Sequence, residues 1–172
     1  MKKLLLILPA GLLFTLVSCN NNDKGAAAST DNPVAAKNLD AVHGINKAIE
    51  TGDVSKLGDY IAADAVNHSG EKGEVKGLDS IKAELALIHN QGTNMKSETI
   101  KEFADSVHVM QWMRYTGNSK MPMGAMPAGS PYDMMVIHVS KFKDGKATDH
   151  WEFMLPSDMM KMMPPPGTPA QK

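Results

Sequence analysis

The chain has 172 residues, of which 42% are apolar, 22% are charged and only 5% are aromatic, and its formal net charge is −1. This length suits one domain with a proper core, whereas two full domains would be cramped. The balanced charge argues against a nucleic-acid-binding protein, which needs a concentrated basic face. The single cysteine excludes an intramolecular disulfide and a metal site built from several cysteines.

The N-terminus has the features of a secretory signal. Two lysines at positions 2 and 3 precede an apolar stretch at 4–17, which is shorter than the ~20 apolar residues of a membrane-spanning helix. Residues 16–19 read Leu-Val-Ser-Cys and resemble the lipobox of bacterial lipoproteins, in which cleavage precedes the cysteine and the cysteine is then acylated. The resemblance implies a signal peptide at 1–18 and a lipid anchor at Cys19. Asn20 in place of the aspartate that often marks inner-membrane retention favours the outer membrane, with the protein facing the periplasm.

The rest of the chain divides into three segments. Residues 19–36 hold the lipidated cysteine and a polar stretch of small residues without apolar periodicity, which predicts a flexible tether. The folded domain is predicted over 37–155. Residues 156–172 contain half of the prolines of the chain and are predicted to form a loose tail that does not pack on the domain.

The domain is predicted to begin with helices. Apolar residues at helical spacing predict a first helix over 37–51, a short second helix after Asp53 and a third that begins at Asp79 or Ser80. A short strand is predicted at 65–69, before the third helix.

From residue 95 the apolar period changes to two, which indicates β-strands. The predicted strands are 95–103, 106–117, 133–142 and 146–155. Asp144-Gly145 predicts a type I′ hairpin turn, because both central residues of that turn need positive φ. Residues 118–131 are rich in glycine and proline and are predicted to form a loop. Three helices followed by a mostly antiparallel sheet make an α+β fold.

Several short segments in this order carry a resemblance to a known family. They are residues 64–68 (DAVNH), Gly77 before a helix, residues 114–117 (RYTG) at the end of a strand, and residues 142–146 (FKDGK) leading into 149–151 (DHW). Over about residues 39–155 the chain resembles the SnoaL-like polyketide cyclases of the nuclear-transport-factor-2-like superfamily. The resemblance implies a cone in which a strongly curved sheet wraps around three N-terminal helices, with an apolar pocket at the open end. Members of this superfamily include cyclases, isomerases, dehydratases and binding domains without catalysis.

The last strand bears on whether the domain is an enzyme. Cyclases of this family use an acidic residue a few positions after the tryptophan of that strand, on the tryptophan side of the sheet. The matching position here is Leu155, which cannot transfer a proton. Strand alternation puts one set of side chains on the tryptophan face and leaves the opposite set on the other. The tryptophan set is Asp149, Trp151, Phe153 and Leu155, and the other set is His150, Glu152 and Met154.

The apolar Leu155 favours a binding module that holds a small apolar molecule without catalysis. The residues predicted to line its pocket are His68, Trp112, Met123, Met126, His138, Trp151 and Phe153. Trp151 is further predicted to be mostly buried beside Phe153. The alternative is a cyclase- or isomerase-like acid/base enzyme in which His68 transfers the proton and Asp149 orients His68.

No cofactor and no metal are expected from the histidines, because no two lie four residues apart as a helical zinc pair and no His-x-His occurs. A second alternative is a Cu(I)-binding envelope protein that uses the thioethers of Met121, Met123 and Met126. Flexible methionines also suit an adaptable apolar pocket. The expected partners are the membrane, through the lipid anchor, the small apolar molecule and a second copy of the chain in a homodimer, but no nucleic acid.

Overall fold

A computed structural model of the chain describes residues 32–70, 73–123 and 126–162. The predicted signal peptide, Cys19 and most of the predicted tether lie outside these residues. The described helices are α1 (Pro33–Thr51), α2 (Leu57–Tyr60), α3 (Leu78–Asn90) and α4 (Pro156–Met162). The described strands are β1 (Ile61–Asn67), β2 (Val75–Lys76), β3 (Gly92–Ala104), β4 (His108–Ser119), β5 (Pro131–Lys143) and β6 (Lys146–Met154).

The six strands form one open sheet in the order β2-β1-β6-β5-β4-β3. Strands β1 and β6 are parallel, and the other neighbouring strands are antiparallel. The predicted α+β fold with a mostly antiparallel sheet is therefore confirmed. No helix in the described part of the chain is long and apolar enough to cross a membrane.

Helix α1 begins four residues before its predicted start and so takes up residues 33–36, which were predicted to belong to the tether. The Asn32 side chain accepts hydrogen bonds from the backbone N–H groups of Val34 and Ala35, at 3.0 and 3.2 Å. Pro33 follows at the first helical position, where its missing N–H costs nothing. Gly52 follows the helix in the left-handed conformation, so the helix ends at residue 51 as predicted.

Helices α1, α2 and α3 pack on one face of the sheet and form two apolar clusters with it. One cluster joins α1 to β4, β5 and β6 through Ala41, Val42, Val109, Phe142 and Ala147. The other joins α1, α2 and α3 to β1 through Ala48, Leu57, Ile61, Ala65 and Ile81. The face of the sheet that contacts these helices is called the inner face below.

The β5–β6 hairpin determines which side chains of β6 reach the inner face. Asp144 and Gly145 have φ of +55° and +79°, so the predicted turn with two positive φ values is confirmed. Ala147 pairs with Phe142 on the inner face, but the next pair is Asp149 with Lys141, so Thr148 is an extra residue in a β-bulge. Because a bulge shifts the alternation by one residue, Asp149 lies on the outer face and His150 on the inner face.

Helix α4 lies where the sequence predicts a loose tail. Asp158 is only 7% exposed, and its carboxylate accepts hydrogen bonds from the Met135 backbone N–H at 3.3 Å and from Lys161 Nζ at 2.7 Å. The prediction is therefore wrong for residues 156–162, because one acidic side chain fixes this turn of helix to β5. Residues 163–172 lie outside the described part.

Candidate functional site

A cavity of about 330 Å³ lies between the helices and the inner face of the sheet. Most of its walls are apolar side chains of α1, α3, β1 and β5, among them Val42, Ile45, Ile81, Leu85 and Val136. A neighbouring cavity of about 300 Å³ at the end of α1 and the start of β3 shares Asn46, Ile49, Met95 and Tyr115 with it.

Polar side chains are concentrated on the wall formed by β4, β5 and β6. The strand register aligns Gln111 with His138 and His138 with Glu152, and it pairs Ser140 with His150. All five residues border the cavity, and Tyr115 joins them from β4. The sheet therefore brings together residues from three strands that are up to 41 positions apart in the sequence.

Three side chains of this wall converge on one point, and we call them the His–His–Glu cluster. His138 Nδ1 lies 3.4 Å from His150 Nε2 and 3.6 Å from Glu152 Oε1, and the latter two atoms are 3.4 Å apart. The other nitrogen of each imidazole contacts a hydroxyl group. Tyr115 Oη is 3.0 Å from His138 Nε2, and Ser140 Oγ is 3.0 Å from His150 Nδ1.

The protonation of the cluster follows from its surroundings. Burial lowers the pKa of His138 to about 4, so its imidazole is neutral near pH 7. Burial raises the pKa of Glu152, but the hydrogen bond with His150 and the neighbouring imidazoles outweigh burial, and the net pKa of this carboxyl is lowered. Burial also raises the pKa of Tyr115, which stays protonated. The wall thus offers a carboxylate and a neutral imidazole, which can accept a proton or bind a cation, and a phenol hydroxyl that can donate.

The predicted catalytic pair, His68 and Asp149, meets outside this wall. His68 Nε2 is 3.1 Å from Asp149 Oδ1, and His68 Nδ1 is 2.9 Å from Glu74 Oε1. The hydrogen bond with Asp149, and then that with Glu74, raises the pKa of His68. The imidazole stacks on Trp151 with 4.7 Å between ring centroids. Asp149 borders the cavity next to the bulge, although its carboxylate is directed at His68 on the outer face. His68 itself does not border the cavity, so the predicted pocket position of His68 is wrong.

The aromatic residues predicted to line the pocket lie on the outer face instead. Trp112 and Phe153 are 42% and 56% exposed, and Trp151 is half-buried against His68. The prediction that Trp151 faces the interior beside Phe153 is wrong because the bulge at Thr148 turns both outward. Leu155 follows the end of β6 and is 52% exposed, so its lack of an acidic group says nothing about the cavity.

Two of the predicted pocket residues, His138 and Met123, do border the cavity, whereas Met126 does not. Met123 and Met126 pair through two backbone hydrogen bonds of 2.9 Å, and Met121 is 57% exposed. Sequence reasoning missed Tyr115, His150 and Glu152 as site residues. The spacing of His150 and Glu152 did indicate that they share a face, but not that this face is the inner one.

Comparisons with known proteins agree with the observed fold. The family model described as SnoaL-like polyketide cyclase matches residues 39–163. No curated protein sequence matches the chain.

Three solved structures show the same fold at low sequence identity. TsrD from Streptomyces laurentii is 16% identical, with a TM-score of 0.64, over 74% of this chain and 94% of that one. IdmH from Streptomyces antibioticus is 22% identical, with a TM-score of 0.60, over 73% and 96%. An LEH-like epoxide hydrolase from M. tuberculosis is 17% identical, with a TM-score of 0.60, over 76% and 92%. At these identities the structural likeness shows only the shared fold. The family model covers more than half of the chain, so the chain belongs to the SnoaL-like polyketide cyclase family.

Proposed function

We propose that the domain binds a small, mostly apolar molecule in the cavity and holds a polar group of that molecule at the His–His–Glu cluster. The observation that carries this proposal is a cavity of about 330 Å³ with apolar walls and one polar patch. Small-molecule sites have this composition, because apolar walls supply affinity and a few polar groups fix the orientation. The volume is at the lower end of the usual range, which favours a compact ligand.

Two adjacent residues of β6 provide a test of ligand binding, since Met154 borders the cavity and Phe153 lies on the outer face. We expect Met154→Trp to fill part of the cavity and weaken the binding of a fluorescent apolar probe, anilinonaphthalene sulfonate, at least fivefold. Phe153→Trp adds similar bulk outside and should leave the affinity for the probe unchanged. Equal affinities in both variants would contradict binding in the cavity. Native mass spectrometry of the full chain purified from its own envelope would identify a retained molecule.

We further propose that the domain is held at the cell envelope through lipidated Cys19, in the outer membrane and facing the periplasm. The Leu-Val-Ser-Cys sequence at 16–19 supports this proposal. Residues 20–32 would connect the anchor to α1, which begins at Pro33. Fully extended, these 13 residues reach about 45 Å, so the domain would be free to turn its cavity away from the membrane.

A second candidate function is acid/base catalysis on the bound molecule. It is favoured by Glu152 and His150, whose facing atoms are 3.4 Å apart inside the cavity. A lowered pKa leaves Glu152 ionised and able to accept a proton. His68 and Asp149 support catalysis less well, since His68 does not border the cavity.

The retained molecule would also separate binding from catalysis. If the domain is an enzyme, the wild-type chain should convert the molecule on incubation, and Glu152→Gln should stop the conversion while the molecule still binds. If the domain only binds, both chains should return the molecule unchanged.

A further inference from the structure

We propose that the His–His–Glu cluster is a binding site for one divalent metal ion of the zinc type. The ligand atoms are His138 Nδ1, His150 Nε2 and Glu152 Oε1, one from β5 and two from β6. Two imidazoles and one carboxylate form a donor set that zinc uses in proteins when a fourth position stays open.

The spacing of the three atoms fits a common metal ion. Zinc binds imidazole nitrogen and carboxylate oxygen at about 2.0–2.1 Å, and ligands at two corners of such a tetrahedron lie about 3.3 Å apart. The three separations in the cluster are 3.4, 3.4 and 3.6 Å. An ion could therefore bind with shifts of a few tenths of an ångström in the side chains.

The contacts behind the imidazoles allow the required tautomers, because a hydroxyl oxygen can accept a hydrogen bond from the far nitrogen of each ring. When Tyr115 Oη accepts a hydrogen bond from His138 Nε2–H, the lone pair of His138 Nδ1 faces Glu152. When Ser140 Oγ accepts from His150 Nδ1–H, the lone pair of His150 Nε2 faces the same point. Metal-bound histidines in proteins are usually oriented in this way by an oxygen on the far nitrogen.

A metal ion would replace the hydrogen bond that the cluster makes without it. When the Ser140 hydroxyl donates to His150 Nδ1 instead, His150 Nε2–H donates to Glu152 Oε1 at 3.4 Å. An ion at the cluster would take the place of this hydrogen and contact all three ligand atoms at once.

The fourth position of the ion would be directed at the cavity, because all three ligand residues border it. An oxygen atom of water or of the bound molecule would complete the tetrahedron there. Zinc binding at the cluster can be measured without the proposed apolar ligand, so the metal site can be tested separately from ligand binding.

The test is a titration of the untagged full chain, solubilised in detergent and stripped with a chelator, with zinc chloride at pH 7.5 in a calorimeter. We expect one zinc ion per chain. Glu152→Gln keeps the size of the side chain but removes its charge, and it should weaken zinc binding at least tenfold. The matched control is Glu74→Gln, because Glu74 also contacts a histidine, His68, but outside the cavity. This control should bind zinc within twofold of the wild type.

A second readout reports the geometry of the site. The chain loaded with Co²⁺ should show the intense visible absorption of a tetrahedral ion, and Glu152→Gln should lose it. Tyr115→Phe removes the oxygen behind His138 and should weaken zinc binding by about 10–100-fold, as loss of such supporting contacts does. Melting curves of each stripped variant show that it is folded.

Absence of stoichiometric zinc binding by the wild-type chain would overturn the proposal. So would equal affinity of the wild type and Glu152→Gln, or a loss of affinity in Glu74→Gln instead.

Discussion

Gln111 is a large polar residue of β4 that lies beside His138 and is only 2% exposed. Its Nε2 donates to Glu102 Oε2 at 2.9 Å, and its Oε1 accepts from Asn46 Nδ2 at 3.0 Å. The residue therefore ties α1 to β3 and β4 through two hydrogen bonds. Its burial is possible only because both polar ends have partners.

Replacing Gln111 with leucine tests this role, because leucine has a similar size but no polar atoms. We expect the free energy of unfolding to fall by about 1–3 kcal/mol, since Asn46 and Glu102 each lose a partner. Urea unfolding of the two chains would measure the difference. Met110→Leu, a change on the outer face of the same strand, should alter stability by less than about 0.5 kcal/mol. A Gln111→Leu chain as stable as the wild type would show that water replaces both bonds.

At the scale of elements, the β5–β6 turn depends on Gly145. Its φ of +79° disfavours any residue with a Cβ atom, and a Cβ atom there would also collide with the Lys37 side chain. We expect Gly145→Ala to lower the free energy of unfolding by about 1–2 kcal/mol from the backbone alone, and by slightly more because the flexible end of Lys37 must move and give up its 3.4 Å hydrogen bond to the Asp144 carbonyl. Gly129→Ala is the matched control, because Gly129 has a φ of +86° but open space around it. Chemical unfolding should rank Gly145→Ala as the less stable variant, and the reverse order would contradict the contact with Lys37.

Helix α4 gives a prediction that depends on pH. The hydrogen bond from Lys161, and then that from the Met135 backbone, lowers the pKa of Asp158 below its usual value of 3.8. Because the pKa is lower in the folded chain, the carboxylate stabilises the fold when the pH is above the usual pKa. This stabilisation is lost as the pH falls through the lowered pKa of the folded chain. We therefore expect Asp158→Asn to melt at a lower temperature than the wild type at pH 7.

The difference in melting temperature between the two chains should shrink as the pH is lowered past 4. A difference that stays constant with pH would show that the charge of Asp158 does not hold α4 in place. Hydrogen exchange of residues 156–162 would show directly whether the helix is released in the variant.

At the scale of the whole molecule, the proposed lipid anchor would determine where the domain works. If Cys19 carries the anchor, we expect Cys19→Ala to move the chain from the membrane fraction to the soluble periplasmic fraction. Each acyl CH₂ group contributes about 0.8 kcal/mol to membrane binding, so removing the proposed site of acylation should remove the main attachment. Fractionation in high salt, followed by immunoblotting, measures the shift. A variant that stays with the membrane would contradict the anchor.

Much of the fold could be predicted from the sequence because its signals are local. The helical spacing over 37–51, the change to a period of two after residue 95 and the Asp144-Gly145 turn each depend on a few neighbouring residues. The start of α1 was missed because Asn32 and Pro33, which fix it, lie in a polar stretch typical of a tether. Helix α4 was missed because it is held by one buried carboxylate, a contact that no periodicity reveals.

The site was harder to predict, because it depends on which face of β6 is the inner one. Alternation grouped His150 with Glu152 and Trp151 with Phe153, and this grouping is the one observed. The choice between the groups depends on one extra residue, Thr148, and the sequence around it gives no sign of a bulge. The convergence of His138 with the β6 pair depends further on the β5–β6 register, which is a property of the sheet rather than of either strand.

The bulge at Thr148 has a consequence for how such a domain could evolve. Strand β6 has two different sets of side chains on its two faces. One set is polar and includes His150 and Glu152, and the other is aromatic and includes Trp151 and Phe153. If the ladder continued past Ala147 without the bulge, the aromatic set would face the cavity and the polar set would face solvent. A relative that pairs these strands without the extra residue would thus exchange a polar wall for an aromatic one with no side chain of the wall substituted. Changes of ligand class in this fold can therefore arise from a shift in strand register as well as from replacement of pocket residues.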